Sequence, residues 1–214
     1  MDIIKYDEAT NSSDKLQHIV NVLEDGGVVC LPCNGKYRLI ADLADEAAVM
    51  GVMQAKRRVS KAPSLVFVAD EKMLDDVADD IDPKARQLIK SLWPGPLTIR
   101  FDARRDLPRD VRKILVKATG KVGIRIPDDE FCHKIVEKLG RPIYVSSANK
   151  ENKHGETSPA QIRQNFFGRI GLFIDAGDLN AGPSSTVVEV KNGEVKVVRD
   201  GHVPAEKITE TLSA

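Results

Sequence analysis

Short apolar runs recur along this 214-residue chain, and most neighbouring runs are separated by a segment with helical spacing. The runs are VVCLP (28–32), SLVFVA (64–69), PLTIRF (96–101), KVGIRIP (121–127), RPIYVSSA (141–148), GLFIDAG (171–177) and STVVEV (185–190). Each is bounded by turn residues and short enough for a strand. Between them the period changes. Helices are predicted over 14–25, stopped by Gly26 and Gly27, and over 46–57, capped by Asp45 with Ala48, Val49, Val52 and Met53 on one face. The acidic segment 69–82 and residues 82–92 predict two short helices, the second opening with Asp82 and Pro83. Further helices are expected over 128–139, ended by Gly140, from Ser158, and after Pro204 (204–212). Asn192-Gly193 marks a hairpin turn. No linker or repeat divides the chain. The reading is one α/β domain over 1–214, with its core over 14–201 and its sheet made mixed by the C-terminal hairpin.

Charge decides which partners to consider. The chain carries 32 Lys+Arg against 32 Asp+Glu, yet the charges are segregated. Residues 69–82 hold seven acids and one base, and 100–121 hold eight bases (Arg100, Arg104, Arg105, Arg109, Arg112, Lys113, Lys117, Lys121) against three aspartates. Lys56, Arg57, Arg58 and Lys61 form a second basic knot. The bland reading of each run is a solvated helix face. The alternative is a cavity that gathers phosphates inside a neutral chain. No apolar run reaches the roughly 18–20 residues that span a bilayer, so no membrane segment is expected. The acidic N-terminus does not resemble a secretory signal, and three cysteines, an odd number, point to a reducing cytoplasm.

Cys30-Leu31-Pro32-Cys33 has the outline of a redox dithiol. Such a dithiol sits where a helix begins, because the helix N-terminus lowers the first thiol's pKa. Here the second cysteine is followed by Asn34-Gly35, a tight-turn pair, and then by KYRLIADLAD, which alternates like an extended segment. Zinc is the other reading, with Cys30, Cys33, Cys132 and His133 as ligands. Adjacent Cys132 and His133 diverge by about 100° on a helix and lack the usual ligand spacing. No metal ligand is therefore assigned to protein side chains. Asn34-Gly35-Lys36 is not a P-loop, because Tyr37 stands where Ser or Thr is required.

The residues that cohere are those suited to a polyphosphate: Lys56, Arg58, Arg125, Arg199 and the pair Ser147 and Asn149. Arginine forks match phosphate oxygens bidentately, lysine adds a compact charge, and Ser and Asn after a strand end can donate to a nucleotide. Against this stands an exposed helix end at Lys56 and Arg58, interacting only with its dipole.

A strand ending in proline, then Lys56-x-Arg58, WPGPLT (93–98), GIRIP (123–127), SSAN (146–149), SSTVV (184–188) and Arg199-x-Gly201 resembles the YrdC/YciO family over residues 14 to 201. The resemblance implies a twisted sheet of mixed parallel and antiparallel strands with flanking helices around a positively charged cavity. It also implies a threonylcarbamoyl-AMP synthase reaction. ATP, bicarbonate and threonine give threonylcarbamoyl-adenylate and pyrophosphate, with Mg2+ accompanying the nucleotide. The product feeds tRNA threonylcarbamoyladenosine modification through a downstream transfer protein, with tRNA or double-stranded RNA as further candidate partners. Carried over by position, Lys56 and Arg58 are the catalytic phosphate cations. Ser147, Asn149 and Arg199 complete the nucleotide site. Cys33, Tyr37, Phe67, Arg125, Val145 and Ser185 line the amino-acid pocket.

The chain departs from the family pattern on the amino-acid side. Where the family has a P-T-x-T-V-Y-G-L-like loop, this chain has Pro32-Cys33-Asn34-Gly35-Lys36-Tyr37-Arg38-Leu39, and Phe67 stands where synthases often carry histidine. Two rival readings follow: a divergent carbamoyl-adenylate enzyme acting on another acceptor, and a non-catalytic module that binds a nucleotide or RNA.

Overall fold

A strand that is apolar on both faces belongs inside a sheet covered on both sides, and Val29–Cys33 is such a strand, with all five residues buried. The computed structural model describes residues 1–56, 64–116, 119–149 and 156–213. Over these the order is β1 (Asp2–Lys5), α1 (Tyr6–Asn11), α2 (Ser13–Glu24), β2 (Val29–Cys33), β3 (Lys36–Asp42), α3 (Glu46–Ala55) and β4 (Leu65–Phe67). There follow α4 (Glu71–Leu74), β5 (Ala78–Asp79), α5 (Pro83–Leu92), β6 (Leu97–Ala103), α6 (Arg109–Val116), β7 (Val122–Arg125) and α7 (Glu130–Leu139). The chain continues with β8 (Ile143–Ser147), α8 (Pro159–Phe166), β9 (Leu172–Asp175), β10 (Thr186–Lys191), β11 (Glu194–Arg199) and α9 (Ala205–Ser213).

The strands form one mixed sheet in the order β1-β9-β2-β3-β8-β4-β7-β6-β10-β11, with β5 paired to β6. Pairs β1/β9, β2/β9, β4/β7 and β6/β10 are parallel. The C-terminal hairpin is not the only antiparallel part, because β2/β3, β3/β8, β4/β8 and β6/β7 are antiparallel too. Both hairpin turns rest on Asn-Gly. Asn34 and Gly35 take φ of 49° and 72°, and Asn192 and Gly193 take 52° and 75°, the doubly positive geometry that matches strand twist in a two-residue turn.

The helix starts at Asp45 and Asp82 follow the expected caps, and Asp129 caps α7, which begins at Glu130 and not at 128. Asp45 accepts from Ala48 N at 2.9 Å, Asp129 from Cys132 N at 3.0 Å, and Asp82 from Lys84 N at 2.9 Å. Asp82 also accepts from Gly193 N at 2.8 Å, tying the last hairpin to α5. The helix predicted over 46–57 ends at Ala55, with Lys56 as its cap residue. Residues 109–116, read from sequence only as part of a basic run, form α6, which buries Val111 and Leu115 four residues apart. Among the described residues no helix is long and apolar enough to cross a membrane.

Candidate functional site

One face of β3, β8, β6, β7 and β10 borders two neighbouring cavities, of about 550 and 260 Å³. On the described wall of the larger stand five basic side chains (Lys36, Arg38, Arg100, Lys121 and Arg199) and one carboxylate, Glu156. Arg125, Asn34 and Asp128 belong to the smaller, and Lys36, Arg38, Ser184 and Ser185 face both. Strand register explains the grouping. Arg38 lies opposite Ser147 across β3/β8, Arg100 opposite Gly123 across β6/β7, and Phe67 beside Arg125 across β4/β7.

Lys56 follows α3 and is only 2% exposed, which excludes the exposed-helix-end reading for this residue. A buried ammonium needs acceptors. Lys56 Nζ donates to Ser146 Oγ (2.9 Å), Ser147 Oγ (3.2 Å), Asn149 Oδ1 (3.4 Å) and, in a short contact, to the Ser147 carbonyl. The structure therefore joins Lys56, Ser147 and Asn149 in one cluster at the end of β8. Arg58 lies outside the described residues.

Arg199 is held from β11 against the loop before β10. Its Nη2 donates to Ser185 O at 2.6 Å and to Ser185 Oγ at 3.2 Å, and Ser185 Oγ lies 3.1 Å from Thr98 Oγ1. Gly201 permits this approach, because a Cβ there would stand 2.3 Å from Ser184 O and 2.6 Å from Thr186 N. Burial, and then the charges of Arg38, Arg100 and Arg125, lower the Arg199 pKa below the usual arginine value.

Arg125 is 4% exposed, and its guanidinium carbon lies 4.9 Å from the centroid of the Phe67 ring. Its Nη2 donates to Asn34 Oδ1 at 3.0 Å, while Nε is buried without a hydrogen-bond partner. Phe67, Cys33 and Tyr37 are themselves buried behind the cavity walls. Phe67 supports Arg125 by its ring face. Tyr37 OH donates to Gly177 O (2.8 Å) and accepts from Ala176 N (2.9 Å), so its side chain locks the back of β3 to the loop after β9. Val145 lines the larger cavity.

The thiols are three free, buried cysteines. Cys30 and Cys33 both lie on β2, where residues three apart point to opposite faces, so CLPC does not bring its own two sulfurs together. Cys33 instead meets Cys132 and Asp129, with ligand atoms all within 4.8 Å of one another. The Asp129 carboxylate is engaged by Cys132 N and by Asn34 N at 3.1 Å. Burial pushes the Cys132 thiol well up, which disfavours the thiolate a metal needs. His133, the fourth ligand considered from sequence, has Nε2 2.9 Å from Ala69 O.

Sequence reasoning missed Lys36, Arg38, Thr98 and Glu156 as cavity residues. The signal for the first two was present. In β3, Tyr37, Leu39 and Ala41 form an apolar face, so Lys36 and Arg38 must occupy the other. Of the eight bases in 100–121, Arg100 and Lys121 reach the cavity, whereas Arg104 pairs with Asp106 and Lys113 with Asp110 (3.8 Å) on the surface.

The family model Sua5_yciO_yrdC, described as Telomere recombination, matches residues 21–201. Threonylcarbamoyl-AMP synthase of Pyrococcus abyssi (strain GE5 / Orsay) is 30% identical over 92% of this chain and 57% of its own length. The synthase of Bacillus subtilis (strain 168) is 29% identical over 96% of this chain and 59% of its own. The crystal structure of P. abyssi Sua5 complexed with L-threonine superimposes with a TM-score of 0.82 at 30% identity, covering 94% of this chain and 58% of that one. The chain thus spans less than two thirds of the relatives it matches first.

Proposed function

The chain belongs to the Sua5/YciO/YrdC family, and on that premise we propose that it is an ATP-dependent carbamoyl-adenylate synthase of the threonylcarbamoyl-AMP class. The observation that carries this reading is the cluster of Lys56, Ser147 and Asn149 at the end of β8, whose Ser147 lines the larger cavity together with Arg199 and Ser185. In the proposed reaction an amino acid condenses with bicarbonate to a carbamate and water. A carbamate oxygen then bonds to the α-phosphorus as the bond to the β-phosphate oxygen breaks, and pyrophosphate leaves. Such a displacement needs alignment and charge neutralisation more than a proton-transfer residue, and fixed cations supply both.

In this reading Lys56 and Arg58 hold the phosphates, Arg199 closes on them, and Ser147 and Asn149 orient the nucleotide. Arg125 and Ser185 hold the amino acid. Magnesium would enter on the phosphates and neutralise their charge. Glu156, whose Oε2 is buried without a partner among the described residues, is the carboxylate on the cavity wall that would hold it. The adenylate would pass to a transfer protein that modifies tRNA, in the cytoplasm, where three free cysteines stay reduced. The test is pyrophosphate release with ATP, bicarbonate and each of the amino acids in turn. Amino-acid-dependent release is expected. ATP binding without release under any acceptor would instead support the nucleotide-binding module.

A further inference from the structure

The charges around the two cavities do not balance. Lys121 pairs with Asp102 at 3.0 Å and Arg100 with Glu189 at 4.0 Å. Among the described residues no carboxylate lies within ion-pair distance of Lys36, Arg38, Arg125 or Arg199. Arg38 is the least satisfied of these: its Nε is buried with no hydrogen-bond partner, and its guanidinium faces both cavities. Burial lowers its pKa; the Cys33 thiol opposes this, Arg125 lowers it further, and Cys132 and Glu156 offset part of the shift. Cations gathered this way, without counter-charges of their own, fit a ligand that brings several negative groups.

The proposed reaction accounts for some of that charge. ATP phosphates would answer Lys56 and Arg199, and the α-carboxylate of the amino acid would answer Arg125. Arg38 and Lys36 remain. They stand on β3, on the wall that the two cavities share. Resting on the synthase reading, we propose that the acceptor is an amino acid with a second anionic group, a side-chain carboxylate or phosphate, which Arg38 grips as a planar fork with Lys36 beside it. Arginine presents two parallel N–H donors suited to such a group.

The experiment is calorimetric titration of the full chain, loaded with α,β-methylene-ATP, with L-threonine, L-aspartate, L-glutamate and O-phospho-L-serine. One of the three dianionic acceptors is expected to bind at least about tenfold more tightly than threonine, and which one distinguishes carboxylate from phosphate. Arg38→Met should remove that preference while leaving binding of the nucleotide analogue within about twofold, and Arg38→Lys should retain part of it. Because Arg38 makes no ion pair among the described residues, Arg38→Met should melt no lower than wild type, and that melt is the check that the variant is folded. Preference for threonine, binding of none of the four, or equal weakening of nucleotide and acceptor by Arg38→Met would overturn the assignment. Pyrophosphate release is measured in parallel. Its absence with every acceptor counts against the synthase reading, while the titration still decides the role of Arg38.

Discussion

At Lys56 the proposed site and the fold meet in one side chain. Its ammonium is enclosed by Ser146, Ser147 and Asn149, so in the proposed reading Lys56→Ala removes a phosphate contact and also the donor to the buried Ser146 hydroxyl. Loss of the charge-assisted contacts should weaken ATP binding by about 1.5–3 kcal/mol and lower stability by a similar order. Titration of ATP beside a thermal melt separates the two effects. An unchanged ATP affinity would remove Lys56 from the nucleotide site. Tyr37 makes a different residue-scale prediction. Burial raises its pKa from 10.0 to about 12, so the phenol stays protonated in the fold where the unfolded chain has begun to ionise. A group whose folded pKa is raised contributes fully below the unfolded value and loses that contribution as pH climbs to the folded one. Stability should therefore fall between about pH 10 and 12. Tyr37→Phe loses both hydrogen bonds, should cost about 1–3 kcal/mol near neutral pH, and should flatten that alkaline slope in denaturant titrations.

Among elements, the hairpin turns and helix caps were legible because single residues impose them. Asn-Gly supplies two positive φ angles, and an aspartate before an apolar helix face supplies an acceptor for a free N–H. The α6 helix was hidden, because its two buried residues sit among charges that look equally like a solvated loop. The site was legible only in part. Lys56, Ser147, Asn149, Arg125 and Arg199 could be named from motif order, whereas for Arg38 the alternation of β3 gives the face but not its neighbours across the sheet. Which cation stays unpaired depends on long-range register, such as Arg38 opposite Ser147, and no local pattern carries that. The contact between β11 and the loop before β10 gives an element-scale prediction. A methyl at Gly201 would collide with the backbone of Ser184, Ser185 and Thr186, so Gly201→Ala should destabilise by about 1–3 kcal/mol. Because that contact holds Arg199 against Ser185, ATP affinity should fall as well. A stable variant with normal ATP binding would separate Arg199 placement from Gly201.

Over the whole molecule, 32 positive and 32 negative side chains cancel, so bulk charge offers no attraction to polyanions. Where the cations sit decides which polyanion can be bound. On the outside, Arg86 pairs with Glu71 and Asp75, Lys134 with Glu130 and Lys207 with Glu210, leaving those bases compensated. Inside, Arg199 borders a cavity of about 550 Å³, a space suited to a nucleotide and too small for an RNA duplex, while Lys36 and Arg38 stand on the wall it shares with the smaller cavity. The molecule should therefore separate small from large polyanions. ATP affinity should weaken several-fold as salt rises from about 50 to 200 mM, since phosphate contacts to fixed cations are screened and exchanged for counterions. Adenosine, which lacks the phosphates, should bind weakly with no such slope. Transfer RNA should give no saturable binding in the same buffers and should not displace a fluorescent ATP analogue. Tight tRNA binding with a steep salt dependence would overturn this separation, and would place a phosphate-tracking surface on the outside of the sheet.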